Sequence, residues 1–103
     1  MKKKKLKFSD DIVQAIHPGE MLQEVIESLG ISQRQLARHM GIDINKINEI
    51  CRGRRGISAD MAVGFGRVFS TSPEMWLNAQ RDWELSQVDC TKYQHLGQIK
   101  RAA

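Results

Sequence analysis

The sequence predicts an all-α fold, a compact domain of five helices. Three observations carry that prediction. Apolar residues recur at helical spacing in five separate stretches. Each stretch opens on a residue type that starts helices, and several close on glycine. No segment shows the apolar–polar alternation of a half-buried strand, and no internal repeat is present.

Residues 1–16 have no clear period and are expected to form an N-terminal basic arm. The domain proper is expected over 17–90, and a short tail over 91–103. The first helix is expected over 18–29, PGEMLQEVIESL. Pro18 suits a first turn, Glu20 complements the helix dipole, and His17 is placed to fix the start. Met21, Leu22, Val25, Ile26 and Leu29 share one face, and Gly30 ends the run. Ser32 can cap a second helix over 33–40, which Gly41 stops. Asp43 can cap a third over 44–51, which ends in RGRRG. Ser58 can cap a fourth over 59–69, with Met61, Ala62, Phe65, Val68 and Phe69 inward. Gly64 and Gly66 are expected to soften it by roughly 1 kcal/mol each against alanine. Ser72-Pro73-Glu74 combines a cap, a first-turn proline and an acid, and starts a fifth helix over 73–88. The linkers of two to six residues suit packed helices.

The net charge of +4 hides a block pattern. Residues 1–7 hold five lysines, and 8–31 hold five acids with no Lys or Arg. Residues 32–56 net +4, residues 57–91 net −3, and the last twelve +3. Solvated surface explains most such runs; one basic face for a polyanion and an acidic face for another partner is the sharper reading. No run approaches the roughly 18 apolar residues of a membrane span. The basic start lacks an apolar h-region, so no export signal is expected. Cys51 and Cys90 form no C-x-x-C pair, and reduced thiols in a cytoplasmic protein are expected. His17, His39 and His95 with the two cysteines show no zinc-ligand spacing, so no metal or other cofactor is expected. No nucleophile–base motif stands out, and the chain reads as a non-enzyme.

The segment SQRQLARHMGIDINKINEICRG, residues 32–53, carries the functional signal. Counted from Gln33, Leu36 and Ala37 stand at positions 4 and 5, Met40 at 8, Gly41 at 9, Ile42 at 10, Ile47 at 15 and Ile50 at 18. That is the spacing of a helix-turn-helix. Small Ala37 admits close helix approach, and Gly41 can take the positive φ of a sharp corner. With Ile42, Ile47 and Ile50 inward, Ile44, Asn45, Lys46, Asn48, Glu49 and Arg52 form a bare face suited to a DNA major groove. Asn45 and Asn48 can reach base edges, since an amide pairs well with adenine. Lys46 and Arg52 read as phosphate clamps. Gln33, Arg34 and Arg38 lie on the preceding helix near the DNA backbone, and Arg54 and Arg55 follow in a glycine-flanked loop that could also track phosphates. Asp43 reads as a cap; Glu49 could accept from cytosine N4, but facing water is the favoured reading. For any single arginine the bland alternative is solubility, and for the pair of helices it is a plain helical hairpin.

HPGEML at 17–22, LGISQRQLARHMGI at 29–42, RGRRGISAD at 52–60 and SPEMWLNAQ at 72–80 together resemble the HigA antitoxins. These were also described as virulence-associated protein I, within the larger Xre/Cro-repressor-like group. The resemblance covers about residues 17–88. It departs from the family pattern at Met61, Gly64 and Gly66, and only loosely matches it at 82–87. It implies a five-helix lambda-repressor-like domain in a bacterial toxin–antitoxin module. Such a protein dimerises, represses its own operon at a palindromic operator, and neutralises a HigB-like toxin that cleaves mRNA. A stand-alone Xre-family repressor without a toxin is the alternative, and a non-DNA adaptor is a third reading.

Two further surfaces follow. Trp76, Ala79 and Trp83 form a stripe on the last helix, and two tryptophans exceed what so small a core needs. For any single tryptophan the bland alternative is the core, but one side of this helix, with Trp76, Trp83, Leu85 and Val88, is expected at a homodimer seam. Glu20, Glu24 and Glu27 stand at i, i+4 and i+7 on the outer face of the first helix, where they are expected either to meet a basic toxin or merely to solvate a surface helix.

Overall fold

The computed structural model describes residues 15–102. Most of the N-terminal arm, and with it Asp10 and Asp11 of the first acidic block, therefore lies outside the described residues. Five α-helices follow in order: α1 (Pro18–Leu29), α2 (Gln33–Met40), α3 (Ile44–Cys51), α4 (Ala59–Phe69) and α5 (Pro73–Gln87). A 3₁₀ turn (Cys90–Tyr93) comes after them, across the boundary at which the sequence placed the start of the tail. The last helix stops one residue short of expectation because Val88 takes extended backbone, φ −76° and ψ 135°.

The helix starts are local chemistry. Ser32 accepts from the Gln35 backbone N–H while the Gln35 side chain accepts from the Ser32 N–H, a reciprocal capping box. Asp43 caps α3 by accepting from the Asn45 N–H at 2.8 Å. Ser58 and Ser72 cap α4 and α5 through Met61 and Met75. At the corner, Gly41 takes φ +70°, and the Ile42 N–H reaches back to the Ala37 carbonyl at 3.0 Å. This closes α2 and turns the chain sharply into α3.

Leu22, Ile26, Leu36, Ala37, Ile47, Ile50, Ile57, Ala62, Phe65 and Trp76 form the core. α3 lies against both α1 and α2, and α5 against α4 and α1. The first turn of α1 rests directly on the end of α3: a Cβ on Gly19 would stand 1.8 Å from the Ile50 carbonyl oxygen. Gly66 has a packing role that the softening argument missed. Its missing Cβ makes room for the Thr71 carbonyl, 2.7 Å from where that atom would stand, so the α4–α5 turn folds tightly against α4, which runs unbroken.

His17 is buried and caps α1 with its ring, Nδ1 accepting from the Gly19 N–H at 2.8 Å. The ring meets Trp83 edge-on, with centroids 4.6 Å apart. Burial lowers its pKa from 6.5, opposed by the nearby Glu20 carboxylate. A folded-state pKa below the unfolded one means that the unfolded chain binds the extra proton more readily. This contribution to stability is complete above about pH 6.5 and is lost as pH falls toward the lowered folded value. Protonation also removes the acceptor that caps the helix. The melting temperature of the wild type should therefore fall faster on acidification than that of His17→Asn, whose amide keeps a capping oxygen but does not titrate. Circular dichroism melts between about pH 8 and 5 measure the difference.

Candidate nucleic-acid interface

The side chains gathered at the α2–α3 corner are mostly those that the spacing selects. Arg34 and Arg38 on α2, Asn45 and Lys46 at the start of α3, and Arg52, Arg54 and Arg55 beyond it are all exposed. Behind them Ile47 and Ile50 are fully buried, which fixes how α3 is rolled on the core. Three side chains depart from the expected bare face. Ile44 is half-buried and packs on the core cluster, because its position faces back toward the hydrophobic seam. Glu49 does not simply face water: it binds Arg55 at 2.8 Å, with both side chains nearly half exposed. Such a pair adds at most about 1 kcal/mol to stability, but it ties Arg55 to the end of α3. Asn48 is half-buried and donates through Nδ2 to Gln33 Oε1 at 3.1 Å. Gln33 donates in turn to Gln23 Oε1 at 3.4 Å, and Gln23 to Glu27 Oε2 at 3.0 Å. One polar chain thus joins α1, α2 and α3.

The loop after α3 is held by a residue that the spacing did not single out. Gln80, on α5, is 8% exposed; its Oε1 accepts from the Ile57 N–H at 2.8 Å and its Nε2 donates to Glu84 at 3.1 Å. Gly56 leaves room for that amide, which would stand 2.9 Å from a Cβ there. The sequence held one signal: Gln80 lies four residues after Trp76, on the inward stripe of α5. Its partner, 23 positions away, could not be read from the chain. Asp43 and Glu49 are the two acids in the block, and both are engaged, by the α3 cap and by Arg55. Asp43 keeps its charge as a cap, so Arg34, Arg38, Lys46, Arg52 and Arg54 outnumber one unpaired acid and leave this face basic.

The surfaces expected elsewhere fare differently. Trp76 does not belong to a seam. It is 0% exposed, packs on Phe65 and Phe69 with centroids 5.0 and 6.1 Å away, and donates from its ring N–H to Thr71 Oγ1 at 2.8 Å. The indole is part of the buried core cluster, so none of it is left for a second subunit. Trp83 is half-buried against His17. Leu85 and Val88 remain open at 57% and 46% exposure, followed by Tyr93, Leu96 and Ile99. Glu20, Glu24 and Glu27 are all exposed on α1. Cys51 is half-buried, and burial pushes its thiol up to about 11, so it stays protonated and packs as an apolar group. Among the described residues no three His, Cys, Asp or Glu side chains cluster to hold a metal ion, and no helix is long and apolar enough to cross a membrane.

Comparison with known proteins agrees with this geometry. A family model described as helix-turn-helix matches residues 22–76. Virulence-associated protein I of Dichelobacter nodosus is 39% identical over 79 residues, which span 76% of this chain and 73% of that protein. An addiction module antidote protein of the HigA family from Coxiella burnetii superposes with a TM-score of 0.70 at 39% identity, covering 76% of this chain and 85% of the other. The Pseudomonas aeruginosa antitoxin HigA, solved with the higBA promoter, superposes with a TM-score of 0.66 at 43% identity, covering 76% and 82%.

Proposed function

Because the chain belongs to the helix-turn-helix family, among the HigA-type antitoxins and virulence-associated proteins, we propose that it represses its own operon as the antitoxin of a HigBA-like module. In this reading α3 enters the major groove of a double-stranded operator. Asn45 and Asn48 meet base edges, and Lys46 and Arg52 clamp phosphates. Gln33, Arg34 and Arg38 hold the backbone on one side of the groove, and Arg54 and Arg55 on the other. The observation that carries the reading is the promoter complex of a protein 43% identical to this one. The exposed amide and basic groups of α3 are what such a surface requires. A stand-alone repressor would use the same face and differ only in lacking a toxin.

A single corner reads few bases, so a two-fold pair is expected to place two α3 helices about 34–36 Å apart in successive grooves. Leu85 and Val88 are the proposed seam, with Trp83 at its edge. Leu85→Glu should yield a folded monomer in sedimentation, and a folded dimer would move the seam elsewhere. The toxin is proposed to dock on the acidic face of α1, since an RNA-cutting partner is expected to be basic. Reversing Glu20 and Glu24 to lysine should weaken capture of the co-expressed toxin and spare operator binding; Glu27 is left intact because it holds Gln23.

The operator itself is the direct test. Asn45→Ala should cost about 1–3 kcal/mol and relax preference at one base position. Lys46→Ala should weaken all sequences alike and flatten the dependence on salt. Wild-type affinity and salt slope in both variants, in titrations on a selected duplex, would remove α3 from the groove.

A further inference from the structure

We propose that Glu27 and Gln23, two residues of α1 set back from the DNA-facing side chains, are positioning residues that decide which base Asn48 reads. The inference rests on the proposed placement of α3 in an operator groove.

It follows from the polarity of the chain from Glu27 to Asn48. An amide has a donor end and an acceptor end, and either can face a neighbouring amide; an ionised carboxylate has acceptors only. Gln23 must therefore turn its NH2 toward Glu27, which it meets at 3.0 Å. Its oxygen is then what faces Gln33, so Gln33 must donate across the 3.4 Å contact. The Gln33 oxygen in turn faces Asn48, and Asn48 must donate at 3.1 Å. One charge at the outer edge of α1 thus sets the orientation of three amides in sequence. The two inner contacts are partly buried, where water competes less for them.

At the far end, Asn48 has spent one N–H on Gln33. Its second N–H and its Oδ1 have no partner among the described residues. A donor beside an acceptor matches the major-groove edge of adenine, which offers the N7 acceptor and the N6 donor. Turned over, the amide would commit its oxygen to Gln33 and present N–H groups, which suit the O6 and N7 acceptors of guanine. The carboxylate of Glu27 accordingly makes Asn48 an adenine reader.

The test selects binding sites for the full-length protein from a duplex library with a randomised core. The wild type should select adenine at one position per half-site, and Asn48→Ala should lose that preference. Glu27→Lys puts a donor where the chain had an acceptor, so all three amides should turn over. Preference at that position should then move from adenine toward guanine by about tenfold, the order that one bidentate contact discriminates. Gln23→Met cuts the chain and should flatten the position. Glu24→Lys makes the same charge change on α1 outside the chain and should keep adenine. A general electrostatic effect would move both lysine variants alike and overturn the proposal. So would a Glu27→Lys protein that selects the wild-type base, or a wild type in which the Asn48-dependent position is not adenine. A wild type that selects no sequence at all would instead sink the operator reading on which the proposal stands.

Discussion

Gly19→Ala is expected to destabilise the domain by roughly 3 kcal/mol or more, at the upper end of what overpacking costs. The added methyl would stand 1.8 Å from the Ile50 carbonyl oxygen and 2.8 Å from its carbon. Both atoms are backbone, so no side chain can swing aside. Either the first turn of α1 lifts off or the end of α3 moves. Lifting α1 also pulls the Gly19 N–H from the His17 ring that caps it. At about 4–8 °C per kcal/mol for a domain of this size, the fall in melting temperature should exceed 10 °C. Gly97→Ala is the matched control, since a Cβ there meets nothing within 4 Å. Equal melting temperatures for the two variants would show that α1 does not press on α3 as described. Operator affinity at a temperature where Gly19→Ala remains folded should also drop, because the last turn of α3 carries the Arg52–Arg55 loop.

Trp76→Ala should cost about 3–5 kcal/mol, the range for removing a large buried aromatic side chain. The indole fills the space beside Phe65 and Phe69, and its N–H satisfies Thr71 Oγ1. Trp76→Phe keeps most of the ring volume and loses that hydrogen bond, so it should cost markedly less. Denaturant unfolding of the three proteins orders them. The contrast with Leu85→Glu separates core from seam: the tryptophan variant should lose stability at every protein concentration, whereas the leucine variant should lose association. A Trp76→Ala protein of wild-type stability that had turned monomeric would return Trp76 to the interface.

These two sites show where reading the chain succeeds and where it stops. The five helices fall where spacing and caps put them, to within one residue at the end of α5. Ser32, Asp43, Ser58 and Ser72 each cap through a backbone N–H two or three positions on, so both partners sit in one short window. The corner at Gly41 was legible for the same reason. So was the exposure of Asn45, Lys46 and the arginines, because an exposed face is the complement of a buried one and Ile47 and Ile50 define the latter. Spacing alone does not separate a core Trp76 from one at a seam, because apolarity and period give a direction but not the size of the space to be filled. The Glu49–Arg55 pair is not legible in the chain, because Arg55 comes from a loop whose path no period describes.

Helix boundaries, the corner and the sign of the exposed face are therefore properties of the chain alone, since each arises from side chains within about one helical turn of one another. The seat of α1 on Ile50, the Gln80 hold on Ile57, the depth of Trp76 and the amide chain from Glu27 to Asn48 belong to the folded molecule. Each joins groups on different elements, and the distances between them exist only once the helices have packed.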